Sequence, residues 1–127
     1  TTVLKNEFTV DSNVKNFKDY LALEEKLFTE LDQKIIAKLP KEKQSQVNRY
    51  TKNSLSNPKR WSQNWNKSFK MPVADPKMAV LLIHGMSDSP YSLHTQATYL
   101  HKKGVYVVAI RLPGHGTIPS GLLAASW

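Results

Sequence analysis

The N-terminal third of the chain carries a helical pattern of apolar residues. Within residues 13–39, apolar side chains recur at spacings of three, four or seven, and charged side chains stand between them. The apolar positions are Phe17, Leu21, Phe28, Leu31, Ile35 and Leu39. Spacing of this kind places an apolar stripe on one side of a helix. With a cap among residues 11–13 and a stop at Pro40, the pattern predicts an amphipathic helix that packs on a larger body.

Two apolar runs, residues 78–83 and 105–110, lie in the second half of the chain. Continuous runs with β-branched members are typical of strands that are buried on both faces of a parallel sheet. Between the runs, Pro90 suits the first turn of a helix and Gly104 suits its end. The order strand, helix, strand predicts a βαβ unit with a right-handed crossover. We therefore expect an α/β fold.

These patterns divide the chain into a helical, basic segment over residues 1–72 and an α/β part over residues 73–127. The formal net charge is +8, and most of the excess lies in residues 41–70, which contain eight lysines and arginines but one acidic residue. Charge of this kind attracts polyanions such as nucleic acid or an anionic membrane surface. The rest of the chain is close to balanced.

Aromatic residues are interleaved with the cations of this basic stretch. The Asn57-Pro58 pair is typical of a helix start, and a helix here would place three aromatic side chains on one face. These residues are Trp61, Trp65 and Phe69. Aromatics beside cations also occur on surfaces that bind nucleic acid or membranes, but no recognised nucleic-acid motif accompanies them. We therefore favour aromatics in the core with solvated cations, and keep binding through residues 41–72 as an alternative.

Composition and spacing exclude several classes of site. The chain has no cysteine, which rules out disulfides, thiolate catalysis and cysteine-bound zinc. It has neither a Gly-Lys-Ser/Thr loop nor a G-x-G-x-x-G motif, which argues against nucleotide binding. His94 and His101 lie ~10 Å apart along the predicted helix, too far to share a metal ion. No apolar run approaches the ~20 residues of a membrane span, and no apolar signal segment opens the chain, so the localisation stays open.

Two loops are the candidates for chemistry. In open α/β sheets, functional groups collect beyond the carboxyl ends of the strands, and here residues 84–89 and 111–116 follow the two strands. The first loop connects a strand to the N-terminus of a helix, where unpaired backbone N–H groups favour negative charge. Gly85 allows a ligand to approach the backbone closely. The 84–89 loop therefore suits a phosphate or the oxyanion of an acyl-transfer intermediate, and the absent phosphate motifs favour the oxyanion.

The sequence around these loops resembles a known family. Residues 80–92, Val-Leu-Leu-Ile-His-Gly-Met-Ser-Asp-Ser-Pro-Tyr-Ser, and residues 108–117, Val-Ala-Ile-Arg-Leu-Pro-Gly-His-Gly-Thr, are similar to bacterial α/β-hydrolases of the esterase, lysophospholipase and monoacylglycerol-lipase type. In that family an apolar strand ends in His-Gly-x, a helix follows, and the next strand leads into a Pro-Gly-His-Gly loop. The resemblance covers about two fifths of the chain and implies the opening βαβ of the hydrolase sheet.

The resemblance assigns a role to the residue that follows His-Gly. It implies that the backbone N–H of Met86 donates to the oxyanion. The residues that it assigns to shaping the site are His84, Gly85, Ser87, Gly114, His115 and Gly116. Neither histidine is expected to act as the base, because the catalytic histidine of the family follows a much later strand.

The catalytic triad of the family is missing. The G-x-S-x-G nucleophile motif does not occur, and the nearest match, residues 85–89, has Ser89 in place of the second glycine. In the family the serine, the acid and the histidine all follow the strand that ends here at Ile110. Two parallel strands and one helix also leave apolar surface uncovered. We therefore expect an incomplete, inactive fragment that needs a second chain, a missing C-terminal part or a swapped copy of itself.

The expected function is part of a serine hydrolase that cleaves carboxylic esters, small or lipid-like, through an acyl-enzyme. No cofactor and no metal ion are implied. The alternative is a non-catalytic module that binds an anionic membrane through residues 41–72, with nucleic acid the less expected partner. Binding of that kind weakens steeply with salt.

Overall fold

The structure is a computed structural model that describes residues 2–123 and residue 125. Its main elements are helix α1 (Phe17–Leu31), strand β1 (Phe69–Met71), strand β2 (Ala79–Ile83), helix α2 (His94–Lys102) and strand β3 (Tyr106–Ile110). The strands form one sheet in the order β1-β3-β2, in which β2 is parallel and β1 antiparallel to β3. The fold is therefore a mixed α/β sheet with a helical N-terminal segment. Within the described ranges, no helix is long and apolar enough to cross a membrane.

Helix α1 confirms the amphipathic pattern but is shorter than predicted. Asn16 caps it, because its extended backbone leaves the helix and its side chain accepts a hydrogen bond from the Asp19 amide. The helix ends in a π-helical turn over Asp32–Ile36. Its apolar stripe packs in a first core cluster formed by Leu4, Leu27, Phe28, Leu31 and Ile118. The stripe thus connects the N-terminal segment to the end of the described chain.

The βαβ unit has the predicted order, and its local signals act as expected. Pro90 opens a 3-10 turn over Pro90–Leu93 that runs into α2, and Gly104 closes the helix with a φ of 82°. A second core cluster lies between α2 and one face of the sheet, and consists of Phe69, Ala97, Val105, Val107 and Ala109. Strand β3, in the middle of the sheet, pairs with both neighbours.

The sequence predicts that strand β2 is buried on both faces, but one face of the strand is exposed. Leu81 and Ile83 are each 56% exposed, while Val80 and Leu82, which alternate with them, are half-buried. The reason is position, because β2 is an edge strand and the described residues cover only one of its faces. An apolar strand without charge or proline at an open edge is a surface that natural proteins usually cover.

The predicted helix around Trp61, Trp65 and Phe69 is wrong. Asn57 does cap a 3-10 turn, but the turn covers only Pro58–Arg60 and the chain is extended at Trp61. Phe69 instead begins β1, where its pairing with Ala109 of β3 provides the backbone hydrogen bonds. Trp65 still packs edge-on against Phe69, with 5.0 Å between the ring centroids, so that part of the core prediction holds. Trp61 is 49% exposed.

The N-terminal residues are attached to α1 through Glu30. Its carboxylate accepts hydrogen bonds from the backbone amides of Lys5 at 2.9 Å and Asn6 at 3.0 Å, and forms an ion pair with Lys34. Burial alone would raise the pKa of Glu30, but the hydrogen bonds from Lys34, Lys5 and Asn6 outweigh it and lower the pKa to about 2. The anchor is therefore charged at neutral pH.

A buried ion-pair network around Arg111 joins the two halves of the chain. Arg111 is 1% exposed, and its guanidinium bonds Glu7 through Nη2 at 2.8 Å and Glu24 through Nε at 3.0 Å. Glu24 also accepts the Ser68 amide and hydroxyl, and the Ser68 hydroxyl in turn accepts the Arg111 amide at 2.8 Å. Beside this cluster, burial raises the pKa of the Tyr20 hydroxyl, which donates to the Arg111 carbonyl, to about 12.

Replacing Arg111 by methionine should lower the free energy of unfolding by about 3–5 kcal/mol, because two buried carboxylates would lose their partner. Urea unfolding followed by circular dichroism measures this loss. The matched control is Arg60→Met, which removes an exposed arginine and should change stability by less than about 0.5 kcal/mol. A loss below about 1 kcal/mol for Arg111→Met would mean that the network does not hold the fold together.

Candidate functional site

The two candidate loops lie side by side, and His84 joins them. Strands β2 and β3 are parallel neighbours, so the 84–89 loop and the 111–116 loop leave the sheet at the same edge. The His84 Nδ1 donates to the Gly85 carbonyl at 2.9 Å, and its Nε2 accepts the Leu112 amide at 3.0 Å. One ring nitrogen that donates and one that accepts define a neutral imidazole. Both nitrogens are occupied, which leaves neither for proton transfer.

Met86 lies in a tight turn directly after His84 and Gly85. The Asp88 amide donates to the Gly85 carbonyl at 3.3 Å, so Met86 and Ser87 are the two central residues of the turn. Ser87 has a φ of 62°, the left-handed value that a type II turn requires at its third residue. The Met86 N–H has no acceptor among the residues that the structure describes, and the residue is 84% exposed. Met86, to which the family resemblance assigns an oxyanion donor, therefore has a backbone N–H without an acceptor in the described part of the chain.

The turn contains a strained backbone conformation at Ser87 and a glycine at position 85. A serine in the left-handed region costs roughly 1–2 kcal/mol relative to its usual conformations, and such strain is typical of functional sites. Gly85 has no left-handed φ, and a Cβ atom built on it would meet no atom within 4 Å. Packing within the described chain therefore does not require glycine at this position. The open space beside Gly85 suits a ligand or a further part of the protein.

The glycines of the 111–116 loop, in contrast, are required by packing. Gly114 and Gly116 have φ values of 79° and 74°. A Cβ atom on Gly114 would lie 2.7 Å from the Gly121 carbonyl oxygen, and one on Gly116 would lie 3.0 Å from that of Asn66. His115 is 2% exposed, and its Nδ1 donates to the Pro113 carbonyl. This loop is a tightly packed wall of the site.

Two adjoining cavities of about 450 Å³ and about 220 Å³ open beside the loops. They share the lining residues Arg49, Ser87, Asp88 and Gly116. The larger cavity is also lined by Leu55, Asn66, Ser89, Trp61 and Tyr91, and the smaller one by His115, Ile118 and Leu122. The larger volume suits a small-molecule ligand. Sequence reasoning missed the contributions of Arg49 and Asn66, because neither belongs to a motif and both come from the basic segment.

The Ser89 and Ser92 hydroxyls beside the loops form hydrogen bonds with neighbouring side chains. The Ser89 hydroxyl donates to the Asn66 Oδ1 at 2.8 Å, and the Ser92 hydroxyl donates to Asp88 at 2.6 Å. Both hydroxyls thus hold the loop and the start of the following helix in place. Over residues 2–123 and 125, no group of three histidine, aspartate or glutamate side chains is placed to hold a metal ion.

Several cations of the basic segment have partners within the described part of the protein. The intramolecular partners are Asp32 for Lys59, Glu25 for Lys67, the Phe17 ring for Lys70 and the Trp61 ring for Arg60. Two of these four are ion pairs, which neutralise charge that a polyanion would otherwise meet. The contacts therefore weaken the case for an anionic-membrane or nucleic-acid surface over residues 41–72.

The bridging role of His84 predicts a loss of stability in mild acid. Burial lowers the pKa of His84, and the hydrogen bond to the Gly85 carbonyl only partly offsets this. As the pH falls below ~6.5, the unfolded chain takes up the proton first, so stability is kept above that pH and lost toward the folded pKa. Replacing His84 by glutamine should remove this part of the pH dependence.

The same substitution also removes a bridge between the loops, which should cost about 1–3 kcal/mol at pH 7. Urea unfolding at pH 7 and pH 5 measures both effects. The control is His101→Gln on α2, whose ring contacts the Pro72 carbonyl far from the loops. If the free energy of unfolding changed between pH 7 and pH 5 by the same amount in His84→Gln as in the unmodified protein, the prediction would be contradicted.

Comparison of the chain with known proteins found no relative. No protein-family model, no curated protein and no solved structure matches the chain. The candidate site consists of the Met86 amide, the open space at Gly85 and the cavities beside them.

Proposed function

We propose that this chain provides the oxyanion-hole loop of an α/β-hydrolase-like serine hydrolase that cleaves carboxylic esters. The observation that carries the proposal is the Met86 N–H, which has no acceptor among the described residues and follows a parallel strand directly before a helical segment. In α/β-hydrolases one of the two oxyanion donors comes from such a strand-to-helix loop, and the other is the N–H that follows the nucleophile.

The proposed reaction begins with a nucleophilic serine in the G-x-S-x-G motif of the family. This sequence does not contain that motif, so the serine lies outside residues 1–127. That serine attacks the ester carbonyl carbon while a histidine takes its proton, and the carbonyl oxygen becomes negatively charged. The Met86 N–H donates to this oxygen. Collapse of the intermediate expels the alcohol, which receives the proton from the histidine, and water then releases the acid from the acyl-enzyme. Met86 contributes through its backbone, so its side chain is free to vary.

The rigidity of the loop supports this role. An oxyanion donor is effective when it is held in place before the charge develops. His84 joins the loop to its neighbour through two hydrogen bonds, at 2.9 Å and 3.0 Å, and the turn at Ser87 fixes the direction of the chain. Gly85 leaves the approach to the Met86 N–H open.

The open edge of β2 supports the need for a second polypeptide segment. The strand Ala-Val-Leu-Leu-Ile exposes Leu81 and Ile83 and carries none of the charges or prolines that protect free edges. We propose that the strand leading to the nucleophile pairs with this edge, which would bring its serine to the same end of the sheet as Met86. The segment would belong to the remainder of the hydrolase, because a second copy of this chain carries no nucleophile motif.

The alternative, a module that binds anionic membranes or nucleic acid, has less support. Its charge lies in residues 41–72, where Lys59 and Lys67 are held in ion pairs and Trp65 packs in the core. A hydrolase with a basic surface would still be attracted to anionic substrates or membranes through its remaining charge.

Replacing Met86 by proline in the assembled hydrolase should lower kcat for a neutral ester about 10²–10³-fold, because proline removes the N–H itself. The second position of a type II turn accepts proline, so the backbone should tolerate the change. Met86→Ala keeps the N–H and is the matched control, with kcat within about threefold of the unmodified enzyme. Hydrolysis of 4-nitrophenyl acetate measures both variants, and circular dichroism checks that they fold. Full activity in Met86→Pro would remove Met86 from the oxyanion hole.

A further inference from the structure

We propose that the larger cavity beside the oxyanion loop binds a negatively charged group, a phosphate or a carboxylate, that carries an apolar substituent. The assignment of this group to the substrate rests on the proposed function. The binding of the group to the cavity does not depend on that function. Arg49 and Asn66 are the donors, and Trp61 and Tyr91 contact the apolar part. All four residues line the same cavity of about 450 Å³.

Asn66 provides a side-chain donor that no other described residue uses. The residue is 8% exposed and lines the cavity. Its Oδ1 accepts the Ser89 hydroxyl at 2.8 Å, which fixes the orientation of the side-chain amide. The Nδ2 has no acceptor among the residues described. Because the Nδ2 atom is accessible from the cavity, an acceptor that binds there can take its hydrogen bond.

Arg49 provides the positive charge at the wall that both cavities share. One of its guanidinium nitrogens, Nη2, donates to the Gly116 carbonyl at 3.1 Å, and the guanidinium lies 5.6 Å from the Tyr50 ring centroid. These contacts hold the group in place and leave the other N–H donors free. A planar guanidinium matches the oxygen geometry of carboxylates and phosphates.

The charges that face the cavity favour an anion over a cation. Among the described residues, Asp88 is the one acidic member of the lining. Both of its carboxylate oxygens already accept hydrogen bonds, from the Ser89 amide at 2.7 Å and from the Ser92 hydroxyl at 2.6 Å. Its charge opposes the anion, so Asp88→Asn should tighten binding. Residues 41–70, which supply Arg49, also carry most of the net positive charge of the chain.

The apolar part of the ligand is indicated by exposed rings in the same lining. Trp61 is 49% exposed and Tyr91 is 40% exposed, although both are large aromatic residues. Leu55 and Pro58 stand with them. A ligand that combines an anionic group with an apolar substituent covers these rings and satisfies Arg49 and Asn66 at once.

Isothermal titration calorimetry of the chain with phenyl phosphate tests the proposal. We expect saturable binding that Arg49→Gln and Asn66→Asp each weaken at least tenfold. Trp61→Ala should weaken phenyl phosphate but leave inorganic phosphate unchanged. The matched control is Lys52→Gln, which removes the same charge from an exposed residue outside the cavity and should change binding less than twofold. Comparison with benzoate then assigns the preferred anion as phosphate or carboxylate.

Two results would overturn the proposal. One is the absence of saturable binding of phenyl phosphate and benzoate. The other is an equal loss of phenyl phosphate affinity in Lys52→Gln and Arg49→Gln, which would mean that the anion responds only to the general surface charge. Failure of the proposed function is distinguishable, because Met86→Pro leaves phenyl phosphate binding unchanged. In the assembled enzyme, Arg49→Gln should raise KM for an anionic ester at least tenfold more than KM for a neutral ester, whereas Met86→Pro lowers kcat for both.

Discussion

The guanidinium of Arg111 is buried between Glu7 and Glu24, and the rest of the structure is arranged around this contact. A buried charge is tolerated only when it is paired and fully hydrogen-bonded. The N-terminal segment, helix α1 and Ser68 before β1 must therefore all be in place before Arg111 can be buried. Because Arg111 also donates to the His115 carbonyl at 2.9 Å, the same contact fixes the 111–116 loop. The helical segment thus has a direct structural connection to the candidate site.

His84 connects the Arg111 network to the 84–89 loop. The Leu112 amide, next to Arg111, donates to His84, and His84 donates to Gly85. Met86 follows directly in a strained turn. The proposed oxyanion donor is thus held by one chain of contacts that begins with a buried ion-pair network. Arg49 and Asn66 belong to the basic segment, and they bring a charge and a buried amide to the cavity beside that donor.

The βαβ unit could be predicted from the sequence because its signals are local, with two apolar runs, Pro90 and Gly104 each acting on its neighbours. The Arg111 network could not, because Glu7 lies more than a hundred residues away along the chain and carries no local sign of burial. Phe69 was placed in a helix because the aromatic spacing fits one, but its strand depends on pairing with Ala109. Likewise, a motif pointed to Met86, whereas only the fold brings Arg49 and Asn66 to the site.

The most direct test of the central claim is to locate the nucleophile. The protein is purified from its source, incubated with a fluorophosphonate probe that labels active serines, and mapped by peptide mass spectrometry. We predict a labelled serine outside residues 1–127, in a segment that accompanies this chain, and no label within it. A label on Ser87 or Ser89, or no labelled serine at all, would contradict a role for the chain as the oxyanion half of a serine hydrolase.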